Sequence, residues 1–140
     1  MFLGEYRHIL DSKNRLRLPP KLKKEFTQSI VLTKGSDGCI FILPKDRLDS
    51  VFAKVADMPL FDSKAQKPLR ALFSSAVELE EDSQGRFLLP ASLKAFAGIE
   101  KEVVFVGAGT RVELWDAKRW DAYNTLSYDE MSRELYSNGI

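Results

Sequence analysis

Arginine and lysine side chains are concentrated near the start of the sequence. The first 25 residues carry a local net charge of +4 in a chain whose net charge is +1, and the cations are Arg7, Lys13, Arg15, Arg17, Lys21, Lys23 and Lys24. Arginine presents a planar fork that suits phosphate or a guanine edge, whereas lysine supplies a flexible point charge. This segment is therefore a candidate for contacts with nucleic acid, and a solvated basic surface is the alternative.

Side chains suited to catalysis or metal binding are scarce. The chain has one histidine, His8, and one cysteine, Cys39, with no phosphate-binding glycine loop and no regular spacing of carboxylates. We therefore expect no enzyme activity, cofactor, metal ion or small-molecule substrate. We expect Cys39 to be a small buried hydrophobic residue and His8 to be packed or exposed rather than functional.

A nine-residue segment occurs twice. Asp11–Pro19 reads DSKNRLRLP and Asp82–Pro90 reads DSQGRFLLP, each residue of the second lying 71 positions after its counterpart. The similarity continues through the strand and helix patterns that follow, which chance resemblance does not explain. We therefore divide the chain into a first module at residues 1–57, a connector at 58–71 and a second module at 72–140.

Each module has the same predicted order of elements. Alternation and turn residues predict a hairpin around the Asp-containing segment, then a short helix after proline, a second hairpin and an amphipathic helix. Asn14 and Gly85 occupy the same turn position and are the residue types that most readily accept positive φ. The predicted strands are 5–10, 15–18, 29–34 and 39–43 in the first module, and 75–80, 86–89, 102–106 and 111–115 in the second.

Helical periodicity predicts the remaining segments. The first module ends in a helix carrying Leu48 and Phe52, and a connector helix begins at Pro68 and presents Leu72 and Phe73. The second module ends in a helix containing Trp120, Tyr123, Met131 and Leu135, for which Asp116 is the expected N-cap.

The two copies differ in charge. Between Glu78 and Lys101 five acids oppose three cations, so the second copy is locally −2. Because attraction to the DNA backbone grows with the cations delivered to phosphates, we expect the first copy to supply most of the affinity and Arg86 to be auxiliary or structural. We expect Asp11 and Asp82 to bond nearby turn amides.

The paired Asp-x-x-x-Arg segments with the following Leu-Pro, and the opening Met-Phe-Leu-Gly, resemble the MraZ family of bacterial transcriptional regulators over the whole chain. Its modules are of the AbrB and SpoVT type. The resemblance implies a mainly β fold with peripheral helices, in which two tandem AbrB-like modules interlock as a double-split, swapped-hairpin β-barrel. It also implies a ring-shaped homo-oligomer and binding to repeated elements upstream of the division and cell wall gene cluster, chiefly as a repressor.

These observations favour a sequence-specific regulator that binds double-stranded DNA through its basic hairpin loops. Adjacent strand residues face opposite ways, so Arg15 and Arg17 are expected to share a DNA-facing side while Leu16 and Leu18 point to the core. A protein-binding AbrB-like assembly or antitoxin-type module is the alternative. No apolar run is long enough to span a membrane, so we expect a cytoplasmic, nucleoid-associated protein. The predicted DNA contacts are Arg15, Lys13, Arg17, Asn14, Arg86, Gln84 and Arg7.

Overall fold

The computed structural model describes residues 1–140 and contains eight strands and six helices. The fold is mainly β with peripheral helices, as predicted. The strands are β1 Glu5–Ile9, β2 Arg15–Arg17, β3 Ile30–Lys34, β4 Ile40–Pro44, β5 Val77–Glu78, β6 Arg86–Leu88, β7 Glu102–Gly107 and β8 Val112–Asp116. The helices are α1 Pro20–Lys23, α2 Lys45–Ala56, α3 Ser63–Ser75, α4 Ala91–Ala97, α5 Ala117–Tyr123 and α6 Tyr128–Ser137.

The strands form one large antiparallel sheet and one small ribbon. The large sheet has six strands in the order β1-β7-β8-β4-β3-β5, and the ribbon pairs β2 with β6. The counterparts in the two copies are β1 and β5, β3 and β7, and β4 and β8. When each strand is replaced by its counterpart, the order becomes β5-β3-β4-β8-β7-β1, which is the same order read from the opposite edge of the sheet. The internal repeat of the sequence therefore appears in the structure as a pseudo-twofold arrangement of strands.

The predicted ladder of the first hairpin is wrong in both copies, and a single bridge between Glu81 and Phe87 is all that remains of it in the second. β1 pairs with β7, β5 pairs with β3, and β2 pairs with β6, so each strand beside the Asp-containing turn finds its partner in the other half of the chain. The physical reason is that a module of about 50 residues buries too little surface alone. Pairing between halves buries more apolar surface and covers strand edges.

The second hairpin of each copy is confirmed. β3 pairs with β4 along its whole length, β7 pairs with β8 from Val103 to Gly107, and β4 joins β8 at the centre of the sheet. The β3–β4 turn places Asp37 and Gly38 at positive φ, of 55° and 81°. These four strands form the middle of the large sheet. β1 and β5 lie at its two edges, and each is followed in the chain by one strand of the ribbon.

The hydrophobic core lies between the sheet and the inner side of the ribbon. Leu16 and Leu18 are buried, as the alternation predicted, and so are Phe87 of β6 and Leu89 directly after it. All four belong to one cluster with sheet residues such as Ile42, so the ribbon is held by the main core. Its opposite side is consequently turned away from the core.

Several helix boundaries differ from the prediction. α3 begins at Ser63 rather than Pro68, because Asp62 caps it by accepting a hydrogen bond from the Lys64 amide at 3.2 Å, and Pro68 lies inside it. The second module ends in two helices, α5 and α6, separated by residues 124–127. Asp116 is the N-cap of α5, as predicted, accepting from the Arg119 amide at 3.2 Å.

The hydrogen-bonded ladders do not close into a barrel. β1 and β5 end the large sheet, and the β2–β6 ribbon is a separate ladder. None of the helices has the length and apolar character required to cross a lipid bilayer.

Candidate nucleic-acid interface

A carboxylate organises the turn that precedes β2. Asp11 Oδ1 accepts hydrogen bonds from the Lys13 amide at 2.9 Å and the Arg15 amide at 2.8 Å, as predicted for this aspartate. Asp11 Oδ2 accepts from Arg15 Nε at 2.9 Å. The Asp11 side chain thus holds both the turn backbone and the Nε atom of Arg15 in place.

The turn that precedes β6 repeats this arrangement atom for atom. Asp82 Oδ1 accepts from the Gln84 and Arg86 amides, both at 2.9 Å, and Asp82 Oδ2 accepts from Arg86 Nε at 3.0 Å. The predicted positive φ is confirmed at both turns, 58° at Asn14 and 74° at Gly85. The two tips therefore share one backbone design with different side chains.

These contacts also perturb the acidity of the two aspartates. The amide of Arg15 and the amide of Arg86 hold the pKa of Asp11 and of Asp82 below the ordinary value of 3.8, and the arginine side chains act in the same direction. Both carboxylates are charged at neutral pH and keep their arginine partners in place.

Three arginines share the outer face of the ribbon. In the β2–β6 register Arg15 lies opposite Leu88 and Arg17 lies opposite Arg86. Arg17 Nε donates to the backbone oxygen of Gln84 at 2.9 Å, in the turn of the other copy. All three arginines are therefore anchored through Nε, and their Nη1 and Nη2 atoms make no hydrogen bond within the chain.

A surface groove runs beside this face. Its volume is about 430 Å³, and its lining is mostly polar: His8, Ile9, Asp11, Arg15, Leu16, Arg17 and Arg86. His8 packs edge-on against Phe105 with ring centroids 5.3 Å apart, and burial lowers its pKa. As expected for a packed residue, His8 is uncharged at neutral pH.

The two turn tips differ in their available charge. Lys13 is exposed and forms no ion pair, whereas the corresponding Gln84 is neutral. The Asn14 side chain is occupied, because its Oδ1 accepts from Lys94 Nζ at 2.9 Å. Lys23 pairs with Glu81 at 2.6 Å. The first tip therefore presents the free positive charge.

The structure keeps Arg7 apart from the other predicted contacts. Arg7 lies on β1 and bonds to Asp121 at 2.6 Å and Glu5 at 3.0 Å, so two carboxylates balance its charge. The other six predicted contact residues lie on the ribbon and its two turns.

Cys39 is buried, as predicted, and burial raises its pKa to about 12. No cluster of three or more His, Cys, Asp or Glu side chains is arranged to hold a metal ion.

Sequence reasoning missed one residue of the ribbon face and the contacts between the copies. Leu88 is 62% exposed among the arginines. The signal that could have found it is the alignment with Leu16, Arg17 and Leu18, because Leu88 falls at the outward position of Arg17. The bonds from Arg17 to Gln84 and from Lys94 to Asn14 depend on the pairing of β2 with β6, which the hairpin prediction concealed.

Comparison with known proteins gives the same duplication. Residues 1–71 and 72–135 each match the family described as "MraZ protein, putative antitoxin-like". The chain belongs to the MraZ family. It is 41% identical to the transcriptional regulator MraZ of Syntrophomonas wolfei, with all of both chains covered, and 43% identical to that of Heliobacterium modesticaldum, with 96% of each covered. The MraZ family is one of transcriptional regulators, which is not an enzyme class.

The shared aspartate geometry predicts a specific pH dependence. Because folding lowers the pKa of Asp11, its charged form stabilises the fold fully above the ordinary value of 3.8, and this contribution is lost as the pH falls through the lower native value. We expect Asp11→Asn to melt below the parent at pH 7 and the difference to shrink progressively as the pH falls below 3.8. Thermal melts across this range measure it.

Asp49→Asn is the matched control, because Asp49 is exposed on α2 and makes no ion pair. It should shift stability by no more than about 0.5 kcal/mol at pH 7 or at about pH 3. An Asp11→Asn difference that is equal at pH 7 and about pH 3 would contradict the charged-turn interpretation.

Proposed function

We propose that the chain is a sequence-specific transcriptional regulator that binds double-stranded DNA through the outer face of the β2–β6 ribbon. The observation that carries this proposal is the set of three arginines on that face, each anchored through Nε with Nη1 and Nη2 free. An arginine fork in that state is oriented before binding, so less conformational entropy is lost when it meets phosphate or guanine.

The dimensions of the ribbon suit the major groove. Three residues per strand span about 10 Å, and the major groove is about 12 Å wide and admits a two-stranded ribbon. The two turns flank the ribbon at opposite ends, where they reach the sugar-phosphate backbone. Arg15, Arg17 and Arg86 would face base edges or phosphates, and the tips would contact the backbone.

The turn residues have unequal parts in this proposal. Lys13 would contact phosphate, and Gln84 would offer a neutral hydrogen-bonding amide at the equivalent position. Asn14 would hold Lys94 in place through its hydrogen bond while lying near the DNA. Arg7 contributes little, because Glu5 and Asp121 balance its charge. The first copy therefore supplies most of the attraction to the DNA backbone.

Relatives named as transcriptional regulators support the regulatory role. We extend the proposal to repression of the division and cell wall gene cluster, through repeated elements upstream of the chain's own operon, in the cytoplasm at the nucleoid. The pairing of strands between halves supports an interlocked double-split barrel composed of a first module at 1–57, a connector at 58–71 and a second module at 72–140.

A protein-binding, antitoxin-type module is the second candidate function, and the wording of the matched family favours it. A partner protein would have to be acidic to suit the ribbon face. Failure to shift DNA of the chain's own upstream region in a gel would favour this alternative over DNA binding.

Exposed apolar side chains on the helices support a homo-oligomer. Phe52 on α2 is exposed while contacting Phe73 of α3, with ring centroids 6.4 Å apart. α6 is exposed along its length and carries Met131, Leu135 and Tyr136. Leu48 and Leu72 line a small apolar pocket beside α2. We propose that these faces associate copies of the chain in a closed ring.

Arg15→Ala tests the DNA-binding role most simply. The variant should keep its fold and oligomer size but lose about 1 to 3 kcal/mol of operator binding, and more when several subunits bind one DNA. Arg86→Ala should cost less. Fluorescence anisotropy with DNA of the chain's own upstream region, at one fixed salt concentration, measures both.

Two further variants separate contact from turn bracing. Asp11→Asn removes the charge that holds Arg15 Nε but keeps the Arg15 guanidinium, so it should weaken DNA binding less than Arg15→Ala does.

Lys13→Ala should weaken binding to operator and to unrelated DNA alike. It should also reduce the slope of log binding constant against log salt concentration by about one unit. The readout proposal fails if Arg15→Ala binds as tightly as the parent while melting several degrees lower.

The ring proposal predicts a closed homo-oligomer larger than a dimer at micromolar concentration, measured by light scattering. Such a ring should engage several DNA repeats on one face, so inserting about 5 base pairs, half a helical turn, between repeats should weaken binding. A monomer in solution would refute the ring, and unchanged affinity after the insertion would refute simultaneous engagement.

A further inference from the structure

We propose that Leu88 is a specificity-determining residue that contacts the C5-methyl group of a thymine in the DNA site. This inference rests on the proposed function, because it requires that the ribbon enter the major groove. It adds the recognition of a particular base by a residue outside the arginine set.

The position of Leu88 follows from strand alternation. Phe87 and Leu89 are each 1% exposed and belong to the core, so Leu88 between them lies on the outer face of β6. The register places it directly opposite Arg15. The corresponding position of the first copy holds Arg17, so the ribbon face consists of three arginines and one leucine.

The chemistry of DNA limits what this leucine can contact. Phosphates and sugars in the backbone offer an aliphatic side chain little, and the base edges in the major groove are otherwise hydrogen-bond donors and acceptors. The thymine methyl is the apolar group displayed there. Leu88 is therefore suited to thymine, whereas Arg17 at the equivalent position is suited to guanine or phosphate.

The register also limits where the thymine lies. Side chains directly opposite on paired strands have Cβ atoms about 5 Å apart. Successive bases along one DNA strand are separated by about 3.4 Å. The thymine should therefore lie within about two base pairs of the contact made by Arg15.

Replacing thymine with deoxyuridine tests this contact, because it removes the methyl group and leaves base pairing intact. Operator DNA from the chain's own upstream region is prepared with one dT-to-dU replacement at a time. Binding of the parent and of Leu88→Ala is measured by anisotropy. One thymine near the Arg15 contact should show a loss of about fourfold for the parent, the value of one buried methyl group.

Leu88→Ala should show no loss at that thymine, because its short side chain cannot reach the methyl group. Leu3→Ala is the matched control, since Leu3 is 63% exposed and lies before β1, at the end of that strand far from the ribbon. It should keep the parent's sensitivity to deoxyuridine.

The possible results distinguish failure of the Leu88–thymine contact from failure of DNA binding by the ribbon. If neither parent nor variants bind the DNA, the proposed function is wrong and Leu88 has no such role. If Arg15→Ala weakens binding but no thymine shows a methyl effect, the Leu88 proposal alone is overturned. An equal methyl effect in the parent and in Leu88→Ala overturns it as well.

Discussion

The pairing of β2 with β6 is the interaction on which the rest of the structure depends. Each copy supplies one three-residue strand, and their inner side chains, Leu16 and Phe87, enter the core beneath the large sheet. The ribbon face exists only when both copies are folded together, because either copy alone provides half of it. Duplication within one chain therefore secures the proposed site as well as the stability that a single small module lacks.

Asp11 and Asp82 fix the positions of two positively charged side chains on the ribbon face. Because Asp11 and Asp82 bond both the turn amides and the arginine Nε atoms, the guanidinium groups of Arg15 and Arg86 are held at their roots with their forks free. Turn bracing and DNA contact are consequently compatible roles for one arginine. The lowered pKa of each aspartate keeps this arrangement intact at neutral pH.

Much of this arrangement could be predicted from local sequence. The turn positions of Asn14 and Gly85 and the burial of Leu16 follow from patterns within a few residues, and the repeat follows from comparing two segments 71 positions apart. The partners of β1 and β2 could not be predicted in this way, because strand pairing is decided by which apolar faces meet across the whole chain. The bond from Arg17 to Gln84 was hidden for the same reason, since it joins residues from different copies.

Directed cleavage can test whether the end of the molecule that carries the β2–β6 ribbon binds DNA. Cys39 is buried with a raised pKa, so an introduced surface cysteine can be labelled selectively with an iron chelate that cleaves nearby DNA. Ser12→Cys lies in the turn before β2, and Thr110→Cys lies in the β7–β8 turn, about 20 Å away along β7. Because the ribbon end is proposed to bind the DNA, we expect cleavage within the operator from position 12 and little from position 110. Stronger cleavage from position 110, or none from position 12, would contradict it.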